Sequence, residues 1–351
     1  ETVDYKWADR ADGELHRDVE LYPAATATPA EKVYLLSGQE SMEVDVLVEA
    51  HTDSFSAELF PLLPEGWRTH PEKISVNLSN EGDRRSFSFH LFPPDENSIG
   101  EVQFMWGNEE AKAFQLIDYP HIKPQVMFPP SSARIVKTEV NRAVDQVLYI
   151  EGSGDEVAEN LQQIGYTLTT IKAEELAITD LSKYETIVVG IRAYNTSESM
   201  NSGNALLNQF VENGGTVIVQ YNTSRGLKAD QIGPYKLQLS RKRVTKEDSE
   251  VKFLDDEHPV LNAPNKITQE DFEHWVQERG LYFADNWDKK QYRPIISWND
   301  PGEDPQEGGL LIADYGKGHF IYTGISFFRQ LPAGVPGAYR LLSNLISYGH
   351  E

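Results

Sequence analysis

Residues 186–226 read TIVVGIRAYNTSESMNSGNALLNQFVENGGTVIVQYNTSRG, and this stretch decides the fold of the second half of the chain. Two continuous apolar runs, TIVV at 186–189 and TVIV at 216–219, enclose NALLNQFVENGG at 204–215. Leu206, Leu207, Phe210 and Val211 lie on one helical face of that segment, and the glycines end it. Continuous apolar strands that alternate with amphipathic helices are typical of a parallel sheet covered on both faces.

The same alternation extends on both sides of this stretch. QVLYI at 146–150 predicts a strand, and DEVAENLQQIG at 155–165 predicts a helix that Gly165 ends. Towards the end, LLIADYGKGHFIYTG at 310–324 predicts a hairpin, and AYRLLSNLISYG at 338–349 predicts a closing helix. We therefore predict a doubly wound α/β domain over residues 145–351.

The first part of the chain follows a different pattern. EVDVLVEA at 43–50 and SFSFHLF at 86–92 alternate apolar and polar residues, and turn-forming clusters separate several such runs. Short alternating strands at this spacing predict an antiparallel β-sandwich of immunoglobulin type over residues 1–125. Residues 126–144 continue a proline-rich stretch, which predicts a linker or crossover between the two domains.

Composition excludes several classes of function. The 351 residues carry a formal net charge of −23, so the surface repels phosphate backbones and anionic lipid, and we expect no nucleic-acid partner. No apolar run approaches the roughly 18 residues of a membrane span, so we expect no membrane insertion. The chain contains no cysteine, which excludes thiolate nucleophiles and thiolate metal sites. The first residues show no signal-peptide pattern and no initial Met, so we expect a mature form or a piece of a longer protein.

The tetrad Tyr-Asn-Thr-Ser occurs twice, at 194–197 and 221–224, each time after a predicted strand. In a doubly wound sheet, ligands bind beyond the carboxyl ends of the strands. If the two strands are neighbours, the tetrads form one polar wall of a ligand-binding cleft. The alternative is that these residues only form Asx- and ST-turns. The predicted cleft residues are Arg192, Tyr194, Asn195, Gln220, Tyr221, Asn222, Thr223, Trp275 and Arg329.

Arg329 begins a loop, RQLPAGVPG, that is rich in proline and glycine. A rigid loop that carries an arginine suits the binding of an anion or carboxylate. It suits a structural ion pair equally well, and the sequence does not separate the two.

Catalytic signatures are weak. No Gly-x-Ser-x-Gly elbow and no His-Glu-x-x-His zinc motif occurs. General acid–base chemistry would have to come from Glu151, His258, Asp271 or Glu273. Asp271 and Glu273 fit a carboxylate pair, but they fit equally well as acidic residues in the first turn of a helix.

Several long stretches resemble one bacterial family. VVGIRAYNTSE at 188–198, VENGGTVIVQYNTS at 211–224 and FFRQLPAGVPGAYRLLSNLISYG at 327–349 resemble the C-terminal region of large PIG-L (LmbE-like) deacetylases. YKWADRADGELHR at 5–17 and LPEGWRTHPE at 63–72 resemble the β-sandwich segment that precedes this region in those proteins.

The resemblance implies a flavodoxin-like C-terminal domain, similar to class I glutamine amidotransferase-like and ThuA-like domains. Active amidotransferases carry a cysteine at the turn where this chain has Gln220 or Tyr221, so that activity is excluded here. The family's deacetylase domain binds zinc through a His-Pro-Asp-Asp motif that this chain lacks. We therefore expect no cofactor in this chain, zinc only in an N-terminal deacetylase domain that acts as its partner, and a periplasmic or extracellular location.

Two functions follow as hypotheses. The first is a non-catalytic accessory region that binds a glycan or amino sugar, or docks the deacetylase domain. The second is a cryptic ThuA-like enzyme that acts on a sugar through its carboxylates.

Overall fold

The computed structural model describes residues 4–11, 13–18, 21–38, 40–119 and 121–350. The described residues form two compact units that divide between Thr138 and Glu139. Both are rich in β-strands, and among the described residues no helix is long and apolar enough to cross a membrane.

The first unit is a β-sandwich. Its strands are β1 Asp4–Asp9, β2 Gly13–Asp18, β3 Ala25–Pro29, β4 Val33–Leu36, β5 Met42–Ala50, β6 Phe55–Leu62, β7 Arg68–His70, β8 Ile74–Leu78, β9 Arg84–Phe92, β10 Ser98–Trp106, β11 Glu109–Glu110, β12 Gln115–Ile117, β13 Gln125–Met127 and β14 Ser132–Lys137. One sheet has the order β4-β14-β10-β6-β8, with β11 beside β10, and the other has the order β3-β5-β9-β7. The hairpin β1-β2 and the pair β12-β13 stand outside these two sheets.

Alternation along the strands builds the core of this unit. Val44, Val46 and Val48 on β5 are fully buried, as the sequence predicts. Across the core, the ring of Phe89 on β9 lies 5.7 Å from the ring of Phe104 on β10, so the two sheets pack face to face.

The predicted linker at 126–144 is wrong for its first half. Strand β14 lies between β4 and β10, parallel to the first and antiparallel to the second. The prolines before it obscured the alternation of SARIVK, in which Ala133 and Ile135 point into the core. Because β14 joins β4 to the rest of the sheet, this segment is an integral part of the sandwich.

The second unit centres on a seven-stranded sheet. Its strands and helices are β15 Gln146–Ile150, α1 Val157–Gln163, β16 Thr167–Ile171, β17 Thr186–Val189, α2 Ala193–Thr196, α3 Ser199–Glu212, β18 Thr216–Val219, β19 Leu237–Leu239, β20 Arg243–Val244, β21 Val251–Phe253, β22 Gly280–Leu281, β23 Ala284–Trp287, β24 Tyr292–Pro294, β25 Ile296–Trp298, β26 Leu310–Tyr315, β27 Gly318–Thr323, α4 Phe327–Gln330 and α5 Pro336–Ser347. Short 3-10 turns span Ala173–Ile178, Leu181–Lys183, Pro259–Leu261 and Gln269–Phe272.

Strand order in this sheet is β16-β15-β17-β18-β27-β26-β24. The first five strands are parallel, whereas β26 and β24 are antiparallel to their neighbours. The predicted hairpin is confirmed as β26-β27, and the predicted helices appear as α1, α3 and α5. The predicted parallel sheet is thus confirmed for five strands, and the hairpin and β24 add two antiparallel strands at one edge.

Helices cover both faces of the sheet. Leu207 and Val211 of α3 share a core with Ile187 and Val217, whereas Thr186, which points to the other face, donates a hydrogen bond to a carbonyl of α5. The continuous apolar character of β17 and β18 follows from this double burial.

Residues 220–309 depart from the strand–helix alternation. They contain three two-stranded pairs, β19-β23, β20-β22 and β21-β25, and the edge strand β24. These strands are two to four residues long, too short for a periodic pattern, so the sequence did not reveal them.

Candidate ligand-binding site at the carboxyl edge of the sheet

The two tetrads lie side by side. Strands β17 and β18 are parallel neighbours, so residues that follow them meet at the same edge, here called the carboxyl edge. The first tetrad forms the short helix α2 and the start of the next turn, while the second continues as an irregular segment. Arg192 has a φ of 57°, and its backbone N–H donates to the carbonyl of Tyr221 at 2.8 Å.

The tetrads bind each other through their asparagines. The backbone N–H of Tyr194 donates to Oδ1 of Asn222 at 3.0 Å, and the backbone N–H of Thr223 donates to Oδ1 of Asn195 at 2.8 Å. Asn195 Nδ2 also donates to the carbonyl of Thr223 at 3.2 Å. We call these reciprocal contacts the asparagine clasp. They use polar groups that the predicted cleft would have offered to a ligand, so the prediction of an open polar wall is wrong.

Tyr194 and Asn222 are both 0% exposed. The Tyr194 hydroxyl donates to Oδ1 of Asn204 at 3.0 Å, and burial raises the pKa of this phenol. Asn222 Nδ2 donates to the carbonyl of Gln220 at 2.9 Å. Neither side chain is accessible to a ligand, which corrects two of the predicted binding residues.

Gln220 belongs to a buried hydrogen-bond chain below this edge. Its Nε2 donates to the hydroxyl of Tyr149 at 3.1 Å, and that hydroxyl donates to Oδ1 of Asp155 at 2.5 Å. Burial first, and then the Asp155 carboxylate, raise the pKa of Tyr149. The other Asp155 oxygen accepts the N–H of Ile191 at 3.2 Å. Gln220 is 1% exposed and connects β18 to β15 through these hydrogen bonds, so its prediction as a cleft residue is wrong.

Aromatic side chains line the outside of the carboxyl edge. The rings of Tyr221 and Tyr282 stack 5.9 Å apart at 10°, and the Phe328 ring lies 5.1 Å from that of Tyr221. Burial raises the pKa of Tyr221 and outweighs the guanidinium groups of Arg192 and Arg329, which lower it. We use the name aromatic rim for the five residues Arg192, Tyr221, Tyr282, Phe328 and Arg329. Tyr221 is 8% exposed, Arg192 is exposed, and the other three are half-buried.

Of the two roles that its loop suggested for Arg329, a structural ion pair and the binding of an anion, the structure shows the ion pair. Its Nη2 lies 3.1 Å from Oε1 of Glu278, and its Nη1 donates to Oε1 of Gln277 at 2.5 Å. Its Cζ lies 4.9 Å from the centre of the Phe328 ring. Its buried Nε has no hydrogen-bond partner among the described residues. The side chain is a structural ion-pair partner that is 30% exposed, so it can also reach a ligand.

Unusual backbone geometry collects at the rim. Of the five described non-glycine residues with a left-handed φ, Arg192 and Tyr282 belong to the rim, and His274 and Gln277 lie in the loop that leads to Tyr282. Each such residue costs about 1–2 kcal/mol relative to ordinary backbone. Such strain is concentrated at binding and catalytic sites in proteins.

Trp275 lies outside the rim. It is 4% exposed, stacks on Phe272 at 5.6 Å, and donates from Nε1 to the carbonyl of Asp271 at 2.9 Å. The Arg279 guanidinium lies 5.3 Å from its ring. This tryptophan is a core residue, and its prediction as a cleft residue is wrong.

The four acid–base candidates are separate. Oδ1 of Asp271 accepts from Nε of Arg340 at 2.7 Å, and Oδ2 accepts from the N–H of Thr268 at 2.8 Å. Asp271 thus caps a 3-10 turn. Among the described residues, no hydrogen bond or ion pair joins Asp271 to any other candidate.

The remaining three candidates have unrelated surroundings. Glu151 and Glu273 are exposed, and His258 is 3% exposed with its Nδ1 accepting from the N–H of Val260 at 3.3 Å. Burial first, and then the Arg293 guanidinium, lower the pKa of His258. Asp271 is engaged by Arg340 and by the N–H of Thr268, so it fits the acidic first-turn residue of the two alternatives. Within the described part of the chain, no group of three or more side chains is arranged to hold a metal ion.

Sequence reasoning missed Tyr282, Phe328, Gln277 and Glu278. The sequence feature that could have indicated this region is an aromatic residue beside a turn, which occurs in ERGLYF at 278–283 and in FFRQLP at 327–332. That signal is weak by itself, because single aromatic residues in loops usually belong to the core.

Comparisons with known proteins identify no family. No protein-family model matches the sequence, and no curated protein matches it. Among solved structures, a β-galactosidase from Rahnella sp. R3 aligns with a TM-score of 0.34 and 14% identity, covering 57% of this chain and 31% of that one. An exo-β-1,4-mannosidase from Opitutaceae bacterium strain TAV5 aligns with a TM-score of 0.34 and 10% identity, covering 58% of this chain and 35% of that one.

A bacterial macroglobulin shows a weaker likeness. The α-2-macroglobulin of E. coli aligns with a TM-score of 0.24 and 11% identity, covering 36% of this chain and 7% of that one. This chain thus spans about a third or less of the length of each protein. All three scores are below 0.5, so these likenesses carry no argument about fold or function.

Proposed function

We propose that this chain is a non-catalytic accessory region that binds carbohydrate at the aromatic rim. The observation that carries the proposal is the stacked pair Tyr221–Tyr282, beside half-buried Phe328 and between two guanidinium groups. Aromatic faces pack against the C–H faces of sugar rings, and guanidinium groups donate to hydroxyl and amide oxygens. The ligand class is a glycan or amino sugar.

The parent of this region is, in the same proposal, a large PIG-L (LmbE-like) deacetylase of the periplasm or extracellular space. The order of the five parallel strands, β16-β15-β17-β18-β27, corresponds to 2-1-3-4-5, the order of flavodoxin-like sheets, and supports a ThuA-like second unit. The two packed sheets of the first unit support an immunoglobulin-like sandwich. Zinc would lie in the partner deacetylase domain, which this chain would dock.

The alternative of a cryptic ThuA-like enzyme has less support. It needs a close carboxylate pair beside the rim, whereas Asp271 is paired with Arg340 and Glu273 is exposed elsewhere in its loop. Glu278 is the carboxylate in contact with the rim, and it is paired with Arg329.

A thermal-shift screen tests the proposal. Wild-type protein, Tyr282→Ala and the control Tyr315→Ala are compared with N-acetylglucosamine, glucosamine and neutral oligosaccharides. Tyr315 is a half-buried tyrosine at the end of β26, away from the carboxyl edge. A ligand at about 100 times its Kd should stabilise wild type by about 2.7 kcal/mol.

Stabilisation of wild type and Tyr315→Ala, with its loss in Tyr282→Ala, supports binding at the rim. Equal stabilisation of all three proteins places the sugar elsewhere. No stabilisation by any saccharide contradicts carbohydrate binding and leaves docking of the deacetylase domain as the function.

A further inference from the structure

A second cavity lies at the opposite edge of the same sheet, near the start of β27. It has a volume of about 360 Å³, within the usual range for small-molecule sites. The turn between β23 and β24 forms one wall, and the residue before the 3-10 turn Pro259–Leu261 and the end of α5 form the others. We call it the His258 cavity; it is lined by His258, Lys289, Lys290, Gln291, Tyr292, Arg293, Pro294, Ile312, Asp314 and Tyr348.

Cations are concentrated at this cavity in a chain whose net charge is −23. Lys289, Lys290 and Arg293 line it. The Lys289 ammonium lies 5.6 Å from the Trp287 ring, but that of Lys290 has no hydrogen-bond or ion-pair partner among the described residues. Local positive charge in an otherwise anionic surface attracts anions to that position.

Two carboxylates near the cavity contact basic side chains. Oδ2 of Asp255 lies 3.4 Å from Nη1 of Arg293, and Oδ1 of Asp314 lies 2.8 Å from Nδ1 of His319. Since Arg293 is 65% exposed and has five N–H donors, its pairing leaves donors free for a ligand.

His258 adds a hydrogen-bond donor to the cavity wall. Its Nδ1 accepts from the N–H of Val260, so the hydrogen of the neutral ring is on Nε2. That N–H has no partner among the described residues, although the side chain is 3% exposed and lines the cavity. A ligand oxygen in the cavity can accept a hydrogen bond from this N–H.

We propose that the His258 cavity binds a tetrahedral oxyanion, a sulfate or phosphate group carried by a small solute. The donors are His258 Nε2–H, the Lys290 ammonium and the free N–H groups of Arg293. Charge-assisted hydrogen bonds of this kind suit sulfate and phosphate oxygens. The cavity is larger than a bare ion and admits part of the solute that bears the group. This site is independent of the aromatic rim.

Isothermal titration calorimetry at low ionic strength tests the site. The probes are inorganic sulfate, inorganic phosphate, glucose 6-sulfate and glucose 6-phosphate, with glucose and acetate as references. Lys290→Gln removes one donor that has no hydrogen-bond or ion-pair partner among the described residues, and Lys252→Gln is a matched control at an exposed position of β21. We expect Lys290→Gln to raise the Kd about tenfold and the control to leave it unchanged.

The probes also distinguish the source of the anion. Tighter binding of the esters than of the inorganic ions assigns a small-molecule ester, and equal binding assigns the free ion. Absence of binding by every anion, equal binding of acetate, or equal weakening by Lys252→Gln would overturn the proposal.

A second variant, His258→Asn, tests the histidine donor while it preserves the fold. Asn is a favoured N-cap, so its Oδ1 can accept the Val260 N–H as the ring does now. We expect a Kd for sulfate about tenfold higher than that of wild type. An unchanged Kd would remove His258 from the site.

Sulfate affinity should also depend on pH, because sulfate keeps its charge near neutrality. Burial and Arg293 lower the pKa of His258, so the ring is neutral at pH 7 and gains a charge as the pH falls below its ordinary value of about 6.5. Wild type should therefore bind sulfate more tightly as the pH falls, and His258→Asn should lose that part of the increase. The other groups that face His258 are Arg293, Asp255, Asp314, His319 and Tyr348, and all remain in the variant. The same pH profile in both proteins would exclude protonation of the His258 ring as a contribution to sulfate binding.

Discussion

Tyr194 and Tyr221 occupy the same place in two identical tetrads, yet they have different surroundings. Tyr194 is 0% exposed and its hydroxyl donates to Asn204, whereas Tyr221 stacks on Tyr282 at the outer edge. The first tetrad turns into a helix, which directs its tyrosine into the core shared with α3. The second stays irregular, so its tyrosine remains at the rim. Identical tetrads at adjacent strand ends therefore place one tyrosine in the core and the other at the aromatic rim.

The largest difference in the free energy of unfolding should be between alanine variants of the two asparagines, Asn222 and Asn195. Asn222→Ala leaves the buried N–H of Tyr194 and the carbonyl of Gln220 without partners, and should lower the free energy of unfolding by about 3 kcal/mol. Asn195→Ala removes contacts at a half-buried position, where water can replace them, and should cost about 1 kcal/mol. Urea denaturation of both variants measures the difference. Equal losses would contradict the distinction between the two tetrads.

Removal of the two tyrosine hydroxyls should give a smaller difference in the free energy of unfolding. Tyr194→Phe removes the donor to Asn204, whose Oδ1 still accepts from the N–H of Gly233, so the cost should be about 1 kcal/mol. The hydroxyl of Tyr221 makes no hydrogen bond with the described residues, so Tyr221→Phe should leave unfolding unchanged. The two variants serve as controls for each other in the same denaturation experiment. A larger loss for Tyr221→Phe would reverse the comparison.

The smallest effect should be a gain in stability at the rim. Arg192 is exposed with a φ of 57°, a conformation that glycine adopts without strain. Arg192→Gly should stabilise the protein by up to about 1 kcal/mol and weaken the proposed carbohydrate binding. Arg225→Gly, at another exposed arginine, is the control for loss of charge. Destabilisation by Arg192→Gly would show that its side chain contributes more to folding than its backbone costs.

Much of the sheet was predictable because double burial leaves continuous apolar runs. TIVV and TVIV became β17 and β18, and the helix between them became α3. The valines of β5 similarly showed one buried face of the sandwich. Strand β14 was hidden by neighbouring prolines, and the pairs between β18 and β26 were too short to show a period.

The position of the candidate site was predictable from the sequence, but only some of its residues were. Strand ends point to one edge, so Arg192 and Tyr221 were found from the sequence, and Arg329 was found from its loop rich in proline and glycine. Tyr282 and Phe328 were missed, because their approach to Tyr221 depends on loops that pack only in the folded chain.

By itself, the sequence determined the periodic parts of this protein: an alternating β unit, an α/β unit and a repeated tetrad at two strand ends. These features follow from local patterns of apolar residues, which burial imposes on each strand and helix separately. Only the tertiary structure decided which polar residues bind each other and which remain at the surface. Asn222 and Asn195 meet residues 28 positions away, and such pairings depend on the packing of distant segments rather than on any local pattern.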